Sequence, residues 1–190
     1  MSATRREPGP ATDMGSRTVE RREPESDIGS WTVDREPFDS PTAAELWRAY
    51  YTEVSDRWYR LHEGHGTDPA ELEREIAATG WTELSPPSGV LLVARYDGEP
   101  VGTAGIRLLD TATAELKRVF LRANMRGKGG GTILIDAAEQ AARSLGAARI
   151  VLDTRRDLVE ARAMYARLGY TESTPHNDEM YAECWYRKDL

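Results

Sequence analysis

A glycine-rich stretch, RGKGGGT, occupies residues 126–132. It follows a β-type run and precedes a long pattern of helical period, so it lies where a strand turns into a helix. At such a corner the first backbone N–H groups of the helix lack partners and point outward at the positive end of the helix dipole. Because glycine lets a ligand approach the backbone closely, the stretch is predicted to bind a phosphate group.

Two common phosphate-binding motifs do not match this stretch. The dinucleotide motif G-x-G-x-x-G needs glycine at its sixth position, and counting from Gly127 that position is Thr132. The nucleoside-triphosphate loop needs glycine five residues before its Gly-Lys pair, and that position is Arg122. The spacing therefore disfavours both nucleotide classes.

The wider stretch VFLRANMRGKGGGTIL closely resembles the pyrophosphate-binding loop of the GCN5-related N-acetyltransferases, with the core R/Q-x-x-G-x-G/A. Further along, AMYARLGY resembles the Tyr-x-x-x-Gly-aromatic ending of the same family, and the resemblance covers roughly residues 38–190. It implies acetyl-CoA as acyl donor, its pyrophosphate held by the loop. The loop residues so assigned are Arg126, Gly127, Lys128, Gly129, Gly130, Gly131 and Thr132.

The resemblance also assigns roles on either side of the loop. The family holds the pantetheine arm against the strand before the loop, through backbone groups that here belong to Val119 and Leu121. Its second motif supplies a tyrosine, here Tyr165, that protonates the departing thiolate, a role that suits a phenol with a pKa of about 10. The alternative for Tyr165 is packing of its ring beside the cofactor. One departure is Leu158, where many relatives carry an asparagine that binds the pantetheine arm.

Glu115 is the candidate general base for the attacking amine. It lies on the strand before the loop, and strict alternation puts Lys117, Val119 and Leu121 on its face of the sheet. The carboxylate could accept the amine proton directly or through water, or hold a cationic substrate. The alternative is an ion pair with Lys117 or Arg118.

The histidines and the single cysteine predict no metal site. His62, His65 and His176 show no metal-ligand spacing, and Cys184 has no second cysteine to form a disulfide or a cluster. His176 lies in a polar loop before the last predicted strand, a region that shapes the acceptor pocket in many members of this family. A solvated surface position is the alternative for His176.

The helices and strands that position these groups follow from capping and periodicity. Helices are predicted to begin at Ser40 and at Asp68, each followed by proline, with the second ending near Gly80. Five aromatic residues lie on the first helix, most of them predicted core and one or two lining the acceptor site: Trp47, Tyr50, Tyr51, Trp58 and Tyr59.

The second half of the chain alternates strands with helices. The dipeptide Asp97-Gly98 joins two β-rich runs in a hairpin, a third strand covers residues 114–121, and a helix follows the glycine loop. A strand at residues 149–154, a helix, and a closing strand near residues 181–188 complete the order ααβββαβαβ. This order predicts an α/β fold, and the resemblance specifies the GNAT fold, a mixed and mostly antiparallel sheet flanked by helices.

Residues 1–36 are rich in Arg, Glu, Pro, Ser and Thr and poor in large apolar side chains, which predicts a disordered tail. The predicted domain then covers residues 37–190. Within the tail DMGSRTVERREP is repeated, with one deletion, as DIGSWTVDREP. The repeat is interpreted as a duplicated flexible segment, with a peptide-like docking role as the alternative.

The chain has 190 residues and a formal net charge of -7, which argues against broad binding to nucleic acid or to anionic membranes. Short apolar runs, the lack of a signal-like N-terminus and a lone cysteine predict a cytoplasmic protein. The predicted function is acetyl transfer from acetyl-CoA to a primary amine, with a small molecule favoured, by direct attack in a ternary complex. The alternatives are an acyl-CoA sensor without turnover and a docking module acting through the tail. A homodimer is compatible with the family resemblance.

Overall fold

The computed structural model describes residues 29–78 and 82–190. Its α-helices are α1 (Pro41–His62), α2 (Pro69–Ala78), α3 (Gly130–Ser144) and α4 (Val159–Arg167). Its strands are β1 (Trp31–Glu36), β2 (Gly89–Tyr96), β3 (Glu99–Leu108), β4 (Thr113–Leu121), β5 (Arg149–Thr154), β6 (Thr171–Glu172) and β7 (Cys184–Asp189). Two short 3₁₀ helices cover Thr82–Leu84 and Ala123–Met125.

The seven strands form one sheet in the order β1-β2-β3-β4-β5-β7-β6. Strands β4 and β5 run parallel, and every other neighbouring pair is antiparallel. A parallel pair needs a crossover connection, which α3 supplies between β4 and β5. The predicted mixed and mostly antiparallel sheet is confirmed.

Local sequence signals place the element ends. Asp97 and Gly98 both adopt positive φ, 52° and 85°, as a tight hairpin turn of the primed type requires. Ser40 Oγ accepts the Ala43 N–H at 3.0 Å and so caps α1. Asp68 caps α2 in the same way, through two backbone N–H groups at 2.9 and 3.0 Å. The predicted helix end near Gly80 lies outside the described residues.

The two faces of the sheet are covered by different helices. Alternate side chains of β2 point to opposite faces. Leu92 belongs to the larger core cluster together with Leu134 of α3, whereas Val93 packs with Leu46 of α1. Helices α1 and α3 therefore sandwich the sheet. None of the helices within residues 29–78 and 82–190 is both long and apolar enough to cross a lipid bilayer.

The prediction of a tail through residue 36 is wrong at its C-terminal end. Residues 31–36 form β1, which pairs with β2 from Trp31 opposite Tyr96 to Glu36 opposite Leu91. Trp31 and Val33 pack against the larger core cluster, so an alternating strand was hidden in a segment that is polar on average. The folded domain begins before residue 37, and the second copy of the repeat supplies its edge strand. The first copy lies outside the described residues.

Candidate functional site

A gap opens in the sheet between β4 and β5. The two strands pair only from Thr113 to Glu115 on β4, opposite Arg149 to Val151 on β5. Beyond Glu115, β4 keeps β3 as a registered neighbour but no longer has β5. Backbone polar groups need hydrogen-bond partners, so the diverging edge of β4 is a place where an extended ligand can bind.

A β-bulge interrupts β4 beside this gap. Two residues, Arg118 and Val119, oppose one residue of β3, and Arg118 adopts φ 55°. Val119 consequently packs with the core on the α3 face, while Phe120 packs with Leu46 on the α1 face. The predicted alternation that put Val119 on the same face as Glu115 is therefore wrong, because the extra residue reverses the order.

A cavity of about 940 Å³ occupies the gap and extends under α1. We distinguish two groups of residues within its lining, which together leave out some of the lining residues. The loop half comprises Val119, Leu121, Arg126, Gly127, Gly129, Gly131, Thr132, Leu134, Leu158, Ala161, Met164 and Tyr165. The aromatic half comprises Trp47, Tyr50, Tyr51, Trp58, Tyr59, Glu83, Arg107, Lys117, Arg118, Asp153, Glu179 and Tyr181.

The glycine loop forms the turn into α3. Gly127 and Gly129 adopt φ 77° and 85°, conformations that side chains of L-residues strongly disfavour. A β-carbon at either position would meet nothing within 4 Å. Glycine is therefore favoured at these positions by the backbone conformation and not by a lack of space. Gly129 caps a helix of 15 residues that begins at Gly130, and the first N–H groups of that helix have no intrahelical acceptor.

The two basic side chains of the loop point in different directions. Arg126 lines the cavity, where its Nη2 donates to Glu53 of α1 and its Nε donates to the Leu121 carbonyl at 2.9 Å. Lys128 does not line the cavity, since its Nζ lies 5.5 Å from the centre of the Tyr96 ring. Of the two basic side chains predicted to bind the anion, Arg126 therefore lines the cavity and Lys128 does not.

Strand β1 supports the loop from behind. Trp31 Nε1 donates to the Lys128 carbonyl at 3.1 Å, and a β-carbon on Gly130 would lie 2.2 Å from the Trp31 ring. Gly130 is thus a glycine because the indole lies against it. This support was missed from the sequence, since Trp31 falls in the segment predicted to be disordered.

Tyr165 lies on α4, is buried, and lines the loop half. Its ring centre is 5.7 Å from that of Tyr170. Burial, with smaller contributions from Tyr50 and Asp153, raises the pKa of the Tyr165 phenol, so the hydroxyl keeps its proton. Leu158, the residue at the family's asparagine position, also lines the cavity.

Glu115 is buried, with 1 % of its side chain exposed, and is not part of the cavity lining. Arg107 Nε donates to Glu115 at 2.6 Å, and Lys117 Nζ lies 3.4 Å away. Burial alone would raise the pKa of Glu115, but the charges of Lys117 and Arg107 outweigh it and hold that pKa below its ordinary value. The predicted base is thus a charged member of an ion-pair network, with Arg107 as a partner that the sequence did not reveal.

The loop before β7 brings two further groups to this network. His176 Nε2 lies 3.4 Å from Glu115 Oε1, and Asn177 Nδ2 donates to Glu115 at 3.1 Å and to Asp153 at 2.8 Å. Glu115, Asp153 and His176 hold ligand atoms within 4.8 Å of one another. Because Arg107 and the Asn177 amide already bind these carboxylates, the set fits an ion-pair network better than a divalent metal.

The first helix contributes more to the cavity than predicted. Five aromatic residues of α1 were expected to be mostly core, with one or two at the acceptor site, and all five belong to the aromatic half. Trp47 packs with Tyr50 and Tyr51, at ring distances of 5.4 and 5.2 Å. Tyr181, from the loop before β7, adds an edge-on contact with Trp58.

Comparison with known proteins identifies the family. The profile of the acetyltransferase (GNAT) family matches residues 42–170. An uncharacterized N-acetyltransferase of Schizosaccharomyces pombe is 31% identical over 96 residues, 50% of this chain and 59% of that protein. The uncharacterized N-acetyltransferase YjgM of Escherichia coli is 36% identical over 89 residues, 45% of this chain and 53% of that protein. The chain therefore spans little more than half the length of these relatives.

Solved structures share the fold at low sequence identity. A GNAT-family acetyltransferase from Staphylococcus aureus gives a TM-score of 0.63 at 16% identity, covering 85% of this chain and 99% of that one. The PaiA N-acetyltransferase of Thermoplasma acidophilum, in complex with coenzyme A, gives 0.61 at 17% identity, with the same coverage. A GNAT-family acetyltransferase of Elizabethkingia anophelis with acetyl-CoA bound gives 0.54 at 16% identity, covering 84% and 98%. Profile match and fold together confirm the resemblance: the chain belongs to the acetyltransferase (GNAT) family.

Proposed function

We propose that the protein transfers an acetyl group from acetyl-CoA to a primary amine of a small molecule, by direct attack with both substrates bound. The observation that carries this proposal is the shared cavity into which the glycine loop, the gap between β4 and β5, and Tyr165 all open. That two proteins of similar fold hold coenzyme A or acetyl-CoA supports the choice of donor.

The glycine loop offers the donors that a pyrophosphate requires. The N–H groups of Gly130 and Gly131 begin α3, at the positive end of its dipole. Arg126 lines the same cavity and is held by Glu53. Carboxylate and phosphate are alternative partners for a guanidinium, so a bound pyrophosphate can replace Glu53 on Arg126.

The diverging edge of β4 suits the pantetheine arm. An amide-containing chain can use the backbone groups that β5 no longer pairs, at Val119 and Leu121. The Leu121 carbonyl accepts from Arg126 Nε, so movement of Arg126 toward phosphate would release it. One extended ligand would then reach from its pyrophosphate at the glycine loop, along β4, to its thioester.

In the transfer step the amine nitrogen bonds to the thioester carbonyl carbon, and the C–S bond breaks. The amine loses a proton, and the sulfur leaves as thiolate and gains one. Tyr165 is the proposed partner of the sulfur, because its buried and protonated hydroxyl can donate a hydrogen bond as negative charge develops. Tyr50 and Asp153 lie near enough to influence its pKa.

Two carboxylates are candidates for the amine proton. Glu115 was predicted from the sequence, but it is buried behind the cavity lining and bound by Arg107. Asp153 lies on β5 beyond the residues that pair with β4, lines the cavity and accepts from Asn177 Nδ2 at 2.8 Å. We propose that Asp153 accepts the amine proton, directly or through a water molecule. Glu115 would instead hold its neighbouring cations in position.

This assignment is tested by comparing Asp153→Asn with Glu115→Gln. We expect Asp153→Asn to lower kcat about 100-fold with acetyl-CoA Kd unchanged, because general base catalysis contributes at this scale. Glu115→Gln should lower kcat much less, since it leaves the proposed base in place. A loss of about 100-fold in Glu115→Gln, with near-wild-type kcat in Asp153→Asn, would instead assign the base to Glu115.

The activity itself is tested by incubating the full chain with acetyl-CoA and a panel of small amines. We expect release of free thiol that depends on the amine, and a product heavier by one acetyl group in the mass spectrum. Saturable binding of acetyl-CoA without turnover on every amine would support an acyl-CoA sensor. Acetylation of protein amino groups alone would contradict the small-molecule acceptor.

A further inference from the structure

The loop between β6 and β7 carries one amide side chain, Asn177, that has no role in the transfer step as proposed above. Asn177 is half-buried and is not among the residues that line the cavity. Both ends of the loop are tied to the sheet. The Ser173 N–H donates to the Trp185 carbonyl at 2.9 Å, and the Glu183 N–H donates to the Thr154 carbonyl at 3.1 Å. Asn177 therefore belongs to a segment whose two ends are fixed.

The amide of Asn177 forms hydrogen bonds with three other side chains. Its Nδ2 donates to Asp153 Oδ1 at 2.8 Å and to Glu115 Oε1 at 3.1 Å. Its Oδ1 accepts from Trp185 Nε1 at 3.1 Å. His176 Nε2 lies 3.3 Å from the same Nδ2. Because an amide nitrogen has only two protons, the two carboxylates, which are nearer and charged, take both of them.

Trp185 fixes the orientation of this amide. An indole N–H can only donate, so the oxygen of Asn177 must face Trp185 and its NH2 group must face the two carboxylates. Trp185 on β7 is the register partner of Asp153 on β5, and side chains of directly opposed residues on antiparallel strands lie on the same face of the sheet. The strand pairing thus brings the indole beside the Asp153 carboxylate, and Asn177 is bonded to both.

These contacts act on the carboxylate proposed to accept the amine proton. Strand β4 pairs with β5 only as far as Val151, so Asp153 lies where β5 borders the cavity. A general base must come within about 3 Å of the group that it deprotonates, or reach it through one water, and a small misplacement can slow the reaction strongly. A carboxylate accepts at both oxygens, so an amine or a water can bind Oδ2 while Asn177 holds Oδ1.

Asn177 also joins two groups of like charge. Glu115 and Asp153 have oxygens within 4.8 Å of each other, a distance at which two negative charges repel. The shared NH2 group presents a proton to each carboxylate. It therefore opposes the rotation of the Asp153 carboxylate away from Glu115 that this repulsion favours.

We propose that Asn177 is a positioning residue for acetyl transfer, which holds the Asp153 carboxylate in the orientation that accepts the amine proton, and that Trp185 in turn fixes Asn177. The inference rests on the proposed function and on Asp153 as proton acceptor. It adds two residues that act on the reaction through Asp153.

The test is a double-mutant cycle on kcat. Asn177→Ala should lower kcat about tenfold, with acetyl-CoA Kd unchanged, because it displaces the base and not the donor. In an Asp153→Asn background the same substitution should change kcat by less than about twofold, since the side chain that Asn177 positions no longer accepts a proton. A residue that only supports the fold would lower kcat equally in both backgrounds.

A second cycle separates the two carboxylates that Asn177 binds. In a Glu115→Gln background Asn177→Ala should still lower kcat about tenfold, because Asp153 remains as the proposed base. The opposite pattern, a loss that disappears with Glu115→Gln and persists with Asp153→Asn, would mean that Asn177 acts through Glu115, and the proposal would be wrong.

Asp178→Ala is the matched control, because Asp178 is the next residue of the same loop, is exposed and does not line the cavity. Its kcat should equal that of the wild type. Trp185→Phe keeps a ring on β7 and removes the N–H, so we expect a fall in kcat of about threefold that disappears in the Asp153→Asn background. This variant tests the same proposal should Asn177→Ala fail to fold.

Failure of this inference can be told from failure of the proposed function. Wild-type kcat in Asn177→Ala, or equal losses in both backgrounds of the first cycle, would overturn the positioning role and leave acetyl transfer standing. Full activity of Asp153→Asn would remove Asp153 as the base and the role of Asn177 with it. Acetyl-CoA binding with no amine acetylated by the wild type would remove the proposed function itself.

Discussion

The two halves of the cavity are built from different parts of the chain. In the loop half the groups proposed to hold the cofactor are mostly backbone, from one continuous segment between Val119 and Thr132, and α3 and α4 add side chains such as Leu134 and Tyr165. In the aromatic half the lining groups are side chains that come from α1, the 3₁₀ helix at Thr82–Leu84, β3, β4, β5 and the loop before β7. A backbone site binds what every acyl-CoA shares, whereas a side-chain site can differ from one relative to the next. The comparison suggests that donor and acceptor binding can be changed separately.

The largest effect is expected where the two halves meet. Tyr165→Phe removes the hydroxyl and leaves the ring, so we expect kcat to fall about 100-fold or more with acetyl-CoA affinity nearly unchanged. Steady-state rates and calorimetric binding measure the two quantities. Tyr170→Phe is the control, since Tyr170 is also buried but does not line the cavity. Equal rates for Tyr165→Phe and wild type would leave Tyr165 with its alternative role of packing.

The loop half is tested next by Gly129→Ala. The new side chain must adopt φ 85° at the cavity wall, which costs about 1–2 kcal/mol, so we expect acetyl-CoA affinity to fall about tenfold. Gly146→Ala places the same change at φ 97° beyond the end of α3, away from the cavity. Gly146→Ala should lower Tm by a similar amount and leave the affinity for acetyl-CoA unchanged. A similar loss of affinity in both variants would mean that the effect is strain alone.

The ion-pair network of the aromatic half is tested by stability against pH. The pKa of Glu115 is lowered on folding, so its contribution is present at neutral pH and is lost as pH falls below about 4.5, the unfolded value, through the folded pKa. We expect Glu115→Gln to lower the free energy of unfolding by about 3 kcal/mol at neutral pH, because a buried partner charge is left behind. Urea titrations should show this difference shrinking in acid.

A matched variant removes an exposed carboxylate instead. Glu45→Gln breaks the pair with Arg122, in which the Glu45 side chain is largely exposed, and should cost well under about 1 kcal/mol. A Glu115→Gln difference that stays constant with pH would argue that the carboxylate is not charged in the folded protein.

The smallest effect is expected from Trp31→Phe. It keeps a ring on β1 and removes the hydrogen bond to the Lys128 carbonyl, so we expect KM for acetyl-CoA to rise about threefold at constant kcat. Val33→Ala, on the same strand, should lower Tm and leave KM unchanged. A fall in kcat with KM unaffected would contradict a role in positioning the loop.

The turn into α3 could be located from the sequence because its signals are local. The glycine spacing, the capped helix starts and the hairpin at Asp97-Gly98 each depend on residues a few positions apart, and their ends agree with the structure. Tyr165 was assigned by the resemblance of AMYARLGY to a family motif. Its roles, like those of the loop residues, stay predictions until measured.

The surroundings of Glu115 and the support behind the glycine loop could not be predicted, for reasons specific to their residues. Arg118 adopts a positive φ, a conformation that favours glycine. Because the residue type gives no sign of the bulge, the predicted alternation of side chains along β4 was continued through it. His176 and Asn177 reach Glu115 across 61 and 62 positions of chain, a distance that no local pattern spans. Trp31 was overlooked because the average composition of residues 1–36 conceals one short alternating strand.

The place of β1 in the sheet has a practical consequence for choosing fragments of this protein. The segment that matches the family profile, residues 42–170, omits β1 at one end and β6 and β7 at the other. A fragment cut at those limits would uncover the β2 edge and the β7-facing edge of β5. Unpaired strand edges invite association between molecules, so fragments for expression should begin before Trp31 and continue through Asp189.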